Sequence, residues 1–360
     1  MLNNDLSLWN CLEQSELRIS MKKATLYDVA EKAKVSPKTV SRVINKESSV
    51  REKTRAAVLA AIETLNYHPN SYARSLRNSR AYVIALLYDS RSPVYVLDLQ
   101  IGIISVCESE GFNILIQPYD IASETLTDDI DDWLERTRID GLIISPPLTD
   151  HVGLLQVLKE RNIQFVRISP IDKSDISPYV YSNDRAAAKA MTEHLIALGH
   201  EAIGFITGHP EHNGAIERLK GYKDALSAAN IPLDDNLIKQ GDFSFESGEI
   251  CARELLNQAV PPSAIFASND NMAAATMKVA RQKGLVLPDE LSIAGFDDSR
   301  ISRQLWPPLT TVQQPIKELA ARSTELLINR VLNRAVEKTN KVFDCKVITR
   351  ESTSVNTKKS

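Results

Sequence analysis

Between Thr25 and Asn45 two short apolar stripes at helical spacing follow one another almost without a break, and this constrains the fold more than any other stretch. Leu26, Val29, Ala30 and Ala33 recur at i, i+3, i+4 and i+7, so they line one face of a helix. Thr25 precedes them with Asp28 three residues on, a start signal whose side chains can satisfy two unpaired backbone donors. Ser36-Pro37 opens a second helix, with serine as N-cap and proline at the first position, where no N–H is needed. Val40, Val43 and Ile44 then turn inward and leave Lys38, Ser41, Arg42 and Asn45 outside. With only about two or three residues between them the helices must pack at a steep angle, as in a helix-turn-helix whose second helix enters the DNA major groove.

Thr54, Val58, Ile62 and Leu65 mark a third helix that closes a small core, and Tyr67-His68-Pro69 ends it, because the residue before proline is pushed out of helical geometry. Asn70 to Arg77 reads as a further short helix capped by Asn70, with Ala73 and Leu76 on one side and Arg74 and Arg77 on the other. A helix of that length is marginal in water and is expected to order only when two copies pair on DNA. Residues 1–20 carry little pattern and read as a disordered extension ahead of a headpiece that starts at Met21-Lys-Lys-Ala-Thr25.

Charge follows the same division. Residues 21–80 carry 13 Lys+Arg against 5 Asp+Glu, a net of +8, whereas residues 81–360 carry a net of −9. A basic block coinciding with the helix-turn-helix is the footprint of phosphate contacts, and the acidic remainder would not bind DNA unaided. At 360 residues the chain suits two or three domains. It has no apolar run of membrane-spanning length and no basic-then-apolar leader, so a cytoplasmic protein is expected. Cys11, Cys107, Cys251 and Cys345 are scattered without metal-ligand spacing and read as thiols. His209-Pro-Glu-His212 matches no common metal site. Without a Walker A loop, a GxGxxG after a strand or a GxSxG elbow, nothing supports catalysis or a cofactor.

From Ala81 the period changes. Buried-strand patterns at Tyr82–Tyr88, Asn113–Gln117, Gly141–Ser145, Gln164–Ile168, Ala202–Thr207, Ala264–Ala267 and Ser292–Phe296 alternate with helical stretches. These are Val96–Glu110, Leu126–Arg136, His151–Arg161, Arg185–Leu198, Ala215–Ala229, Glu246–Gln258 and Asn271–Lys283. Such alternation implies an α/β fold of parallel sheets with helices on both faces.

Thr25 to Asn45 resembles the DNA-binding headpiece of the lactose/galactose repressor (LacI/GalR) family. The resemblance continues through Asn66-Tyr-His-Pro-Asn70 and, more loosely, to Thr349-Arg-Glu-Ser-Thr353. Two departures stand in the headpiece: Lys34 where the family usually has glycine, and Arg51 where it usually has a serine cap. The resemblance implies an all-α helix-turn-helix headpiece at 21–69, and a hinge helix and linker at 70–80. It also implies a periplasmic-binding-protein-like core at 81–360, built of two doubly wound parallel-sheet subdomains. One would span about 81–180 and 313–342, the other about 181–312 and 343–360, with a ligand in the cleft at the strand ends.

Carried over residue by residue, the resemblance makes Thr25, Tyr27, Ser36, Pro37, Lys38, Thr39, Ser41, Arg42 and Asn45 DNA contacts. Asn70, Ala73, Leu76 and Arg77 follow in the hinge, where Leu76 matches the leucine wedged between base steps in the minor groove. The family's Arg-x-x-Gly, Asn-Asp and Gly-Phe-Asp-Asp motifs place Arg218, Asn269 and Asp297 on the effector, and Phe243 and Tyr95 stand where aromatics face it. Ser169 stands where the family often has aspartate, which leaves the particular sugar open; a minority branch binds purines in the same cleft. The function implied is a sugar- or metabolite-responsive repressor that binds a palindromic DNA operator as a homodimer. The polar ending Val355–Ser360 lacks the leucine-rich tetramerising tail of one branch. A soluble sugar-binding protein without DNA function is the rival, and the basic headpiece argues against it.

Overall fold

The computed structural model describes residues 24–44, 49–67, 80–89, 93–335 and 341–357. They belong to two units, one reaching to Arg80 and one starting at Ala81. The expectations for residues 1–20, for Asn45 and for the Asn70–Arg77 helix lie outside the described residues.

In the first unit, α1 (Leu26–Lys32) begins with a full capping box: Thr25 Oγ1 accepts from the Asp28 N–H at 3.3 Å, and Asp28 Oδ2 accepts from the Thr25 N–H at 2.7 Å. The helix ends through Lys34, which adopts φ +54°, while the Val35 N–H reaches back to the Ala30 carbonyl at 3.0 Å. That left-handed position suits glycine, so lysine there carries backbone strain. α2 (Pro37–Ile44) starts where Ser36 Oγ accepts from the Thr39 N–H at 3.2 Å, and α3 (Glu52–Thr64) starts at Arg51 without a side-chain cap. Val29, Val40 and Val58, one from each helix, are fully buried against Ala30, Val43, Ala61 and Tyr67.

The second unit opens as β1 (Val83–Tyr88), α4 (Pro93–Glu110), β2 (Asn113–Pro118), α5 (Leu126–Arg136), β3 (Gly141–Ile144), α6 (Val152–Glu160), β4 (Gln164–Ile168) and β5 (Tyr179–Ser182). It continues through α7 (Asp184–Ala197), β6 (Ile203–Thr207), α8 (Asn213–Ala228), β7 (Ile238–Gln240), α9 (Phe245–Leu256), β8 (Ala264–Ala267) and α10 (Asp270–Gln282). Then come β9 (Ser292–Ala294), α11 (Arg300–Gln304), β10 (Thr311–Gln313), α12 (Ile316–Val331), β11 (Val342–Phe343) and β12 (Lys346–Ile348).

Two parallel sheets result, ordered β11-β5-β4-β3-β1-β2 and β7-β6-β8-β9, and β10 and β12 form a separate antiparallel pair. Because successive strand residues point to opposite faces, β1 feeds two cores. Ile84 and Leu86 pack with Leu99, Ile103, Leu319 and Leu327 of α4 and α12, and Ala85 and Leu87 pack with Ile130, Leu134, Leu154 and Leu158 of α5 and α6. The second sheet repeats the scheme, with Ile203 and Phe205 against α7 and α8 and Ile206 against α9 and α10. Buried on both faces, these are doubly wound layers. Gly102 permits the closest approach of α4 to α12, since a Cβ there would lie 2.3 Å from the Lys317 carbonyl oxygen.

The chain passes between the two layered sheets three times, after β5, after β10 and after β11. β10 is tied to the second sheet by bridges Ala294 to Thr310 and Asp297 to Gln313, and α12 returns to the first. The long apolar elements lie where the hydrophobic period predicts them. β9 stops at Ala294 instead of Phe296, because Asp297 and Asp298 take φ +118° and +54° and turn the chain. Among the described residues, Cys107, Cys251 and Cys345 are free thiols and no helix is long and apolar enough to cross a membrane.

Candidate functional site

At the C-terminal ends of the strands the two layered sheets face each other across a cleft of about 490 Å³. Asp89, Tyr95, Pro146 and Pro147 line it from the first sheet's side. His209, His212, Arg218, Phe243, Asn269 and Asp297 line it from the other, and Gln314 from the second crossing.

Arg218 is the centre of the floor. It lies on α8 and is buried, with Nε donating to Asp184 Oδ1 at 2.8 Å, Nη1 to the Ser268 carbonyl at 2.6 Å and Nη2 to Gln314 Oε1 at 3.3 Å. Its guanidinium lies 3.6 Å from the centroid of the Phe296 ring. Burial pulls the guanidinium's pKa down, but Asp184 and Asp297 outweigh it and keep the group charged. Asp184 also accepts from the Ser182 hydroxyl, and Gln314 Nε2 donates to that hydroxyl's oxygen at 3.1 Å.

Asp297 stands 3.8 Å from Arg218 Nη1 and is less buried than Asp184. Its backbone is held by its own N–H to the Val312 carbonyl at 2.8 Å. Burial pushes its carboxyl well above the usual range; Arg218 opposes that shift, and the nearby Asp270 and Asp184 add to it. Asp270 lies behind the floor, fully buried, accepting from Thr311 Oγ1 at 2.5 Å and from the Ser299 N–H at 2.7 Å. Burial raises it to about 7 against those hydrogen bonds.

Phe243 forms a wall. It adopts φ +74° and lies over Gly208, where a Cβ would come within 2.0 Å of the ring. Asn269 fixes it: Nδ2 donates to the Phe243 carbonyl at 2.9 Å, while Oδ1 caps α10 by accepting from the Met272 N–H at 2.9 Å. Tyr95, half-buried on α4, meets the His212 ring edge-on with centroids 6.4 Å apart. Burial, and then Asp184, push its hydroxyl pKa up.

Of the expected effector residues, Tyr95, Arg218, Phe243, Asn269 and Asp297 are brought together. Ser169 is not in the lining: it follows β4 at φ +48° with its N–H donated to the Val180 carbonyl at 2.7 Å. The lining and its support add Asp89, the Pro146-Pro147 pair, His212, Asp184 and Gln314. Asp184 follows a four-residue strand too short to read by alternation, and Gln314 sits between two unread elements. A carboxylate two residues after Tyr-Val-Tyr-Ser, behind Asn183, was the available signal. His212 caps α8, with Nδ1 accepting from the Gly214 N–H at 3.1 Å. Among the described residues no group of three His, Cys, Asp or Glu is placed to hold a metal.

In the first unit Thr25, Tyr27, Ser36, Lys38 and Arg42 are exposed, and Pro37, Thr39 and Ser41 are half-buried along the same two helices. Tyr27 is 73% exposed.

A family model described as bacterial regulatory proteins, lacI family, matches residues 25–70, and one for a periplasmic binding protein-like domain matches residues 192–353. The chain is 36% identical over 341 residues to the HTH-type transcriptional regulator DegA of Bacillus subtilis (strain 168), covering 92% of this chain and 98% of that one. Among solved structures it is similar to a complex of the transcriptional regulator CelR with cellobiose, at 30% identity and a TM-score of 0.71, over 91% of this chain and 99% of that one. It is also similar to the Lac repressor dimer bound to operator and the anti-inducer ONPF, at 30% identity and a TM-score of 0.70, over 92% and 100%.

Proposed function

The chain belongs to the lacI family of bacterial regulatory proteins, DNA-binding transcriptional regulators and not enzymes, and on that premise we propose that it is a cytoplasmic repressor whose operator affinity is set by a small sugar. The observation that carries the sugar is the pairing of a polar floor, Arg218 and Asp297, with the aromatic wall of Phe243 in one cleft. A carboxylate accepts from neighbouring hydroxyls, a guanidinium donates to ring or hydroxyl oxygens, and an aromatic face covers sugar C–H groups. The similarity to the cellobiose complex supports the same class.

The effector set on this reading is Tyr95, Arg218, Phe243 and Asp297, with Asn269 holding Phe243 in place; Ser169 lies outside the lining. We divide the core at its three crossings, with one subdomain at about 81–180 and 313–342 and the other at about 181–312 and 343–360. A homodimer reads a palindromic operator through Thr25, Tyr27, Ser36, Pro37, Lys38, Thr39, Ser41, Arg42 and Asn45. On the same proposal the hinge residues Asn70, Ala73, Leu76 and Arg77 also contact the DNA. Similarity to an operator-bound dimer supports this assembly.

The test is a thermal-shift panel on the full chain with D-glucose, D-galactose, D-ribose and cellobiose beside adenine, guanine and hypoxanthine. Saturating ligand at about a hundred times Kd stabilises the fold by about 2.7 kcal/mol. A sugar is expected to raise Tm; a shift with a nucleobase and none with any sugar would overturn the sugar reading.

A further inference from the structure

His212 lies in the cleft wall, yet neither the repressor reading nor any metal site uses it. Its Nδ1 accepts the Gly214 N–H at 3.1 Å, and a backbone N–H can only donate. The neutral ring therefore carries its proton on Nε2, and the tautomer is fixed by the helix it caps. Among the described residues no hydrogen bond leaves Nε2. The ring itself is held edge-on by Phe243, with centroids 4.9 Å apart, and by Tyr95 from across the cleft. Gly214 lets it lie close to the floor: a Cβ there would be 3.1 Å from Nδ1 and 3.4 Å from Arg218 Nη2.

We propose that His212 contacts the effector directly, its Nε2–H donating to a hydroxyl or ring oxygen of an uncharged, polyhydroxylated ligand. This rests on the sugar reading of the cleft and narrows it. Burial, then Arg218, then His209 hold the imidazole down to about 3, so at neutral pH it is a donor without charge. The charge of Arg218 is already matched by Asp184, and the lining adds Asp89 and Asp297. An anionic ligand would therefore find no unmatched lysine or arginine among the described lining residues, whereas a polyol finds donors and acceptors that need no counter-charge.

The experiment is calorimetric titration of the full-length wild type, His212→Asn and His212→Phe with D-glucose, D-galactose, D-ribose and cellobiose, and of the wild type with glucose 6-phosphate, glucuronate and the three nucleobases. Asparagine can keep the α8 cap, because its side-chain oxygen accepts from the same backbone N–H, but it loses the Nε2 donor. The expected result is that a sugar binding the wild type binds His212→Asn about tenfold more weakly, and His212→Phe at least as weakly, while the unliganded His212→Asn protein melts within about 2 °C of wild type. The acidic analogues are expected to bind more weakly than glucose. Equal sugar affinity in wild type and His212→Asn would remove His212 from the ligand. Tighter binding of glucose 6-phosphate or glucuronate would reject the uncharged class. Nucleobase binding with no sugar bound would instead overturn the sugar reading and this proposal with it.

Discussion

Arg218 donates through Nε to Asp184 at 2.8 Å, whereas Asp297, the carboxylate lining the cleft, stands 3.8 Å from its Nη1. The two acids therefore divide their duties. Asp184 and Arg218 form a buried pair with side chains 5% and 4% exposed. Removing one partner of such a pair leaves an uncompensated charge and costs about 3–5 kcal/mol. Asp184→Ala is expected to lose about that much by urea denaturation. Asp297→Asn should change stability by less than about 1 kcal/mol, since burial already opposes its ionisation. Equal losses would show that the two carboxylates are interchangeable supports.

The carboxyl of Asp270 gives a pH signature. Its folded value of about 7 lies above the ordinary 3.9 or so of an unfolded aspartate. Between those values the folded state binds the extra proton, so this group's stabilisation is complete below about pH 4 and is lost as pH rises through about 7. The stability difference between wild type and Asp270→Asn should shrink steadily from pH 5 to pH 8, measured by urea midpoints at each pH. A difference that stayed constant would place the proton elsewhere.

How far the sequence carried these assignments depended on element length and on what each pattern encodes. The helix-turn-helix, seven of the strands and most of the long helices stand near their periodic runs, because those runs are long and apolar on a defined face. α12 is the exception: Leu319, Ala320, Leu327 and Ile328 are buried, but it follows a three-residue strand and was not separated from the crossing. β5, β7, β10, β11 and β12 are two to four residues long, too short for alternation to declare itself. Within the cleft, Arg218 and Asp297 were legible from local motifs. Asp184 was not, because its role depends on a contact between residues 34 positions apart.

Lys34 tests the departure from the usual turn glycine. At φ +54° a lysine is strained by about 1–2 kcal/mol, and glycine removes the strain while losing some unfolded-state advantage. Lys34→Gly is expected to stabilise the headpiece by up to about 1 kcal/mol, read as slower hydrogen exchange of the Val29 and Val40 amides in the full chain. Faster exchange would mean that the lysine is favourably held.

Lys38 is exposed near the start of α2, where side chains reach base edges. A lysine to guanine O6 or N7 discriminates by about 1–3 kcal/mol. Lys38→Ala should therefore narrow the ratio of operator to scrambled-DNA affinity, while loss of a phosphate contact at Thr39 should weaken both together. A wild-type ratio in Lys38→Ala, measured by fluorescence anisotropy at one fixed salt concentration, would exclude base readout by this residue.

The central claim is that the cleft controls the headpiece, and a ligand can do this only through different affinities for two cleft states. On the proposed minor-groove wedge role, Leu76→Ala should weaken operator binding while leaving sugar affinity of the free protein nearly intact, since a wedge of that kind would act on DNA alone. The most direct measurement is an operator titration of wild type and Asp297→Ala, with and without the sugar that stabilises the wild type. The account predicts that the sugar shifts the wild-type Kd, whereas Asp297→Ala keeps one DNA affinity in both conditions. An Asp297→Ala protein whose operator affinity still shifted by the wild-type factor would contradict it.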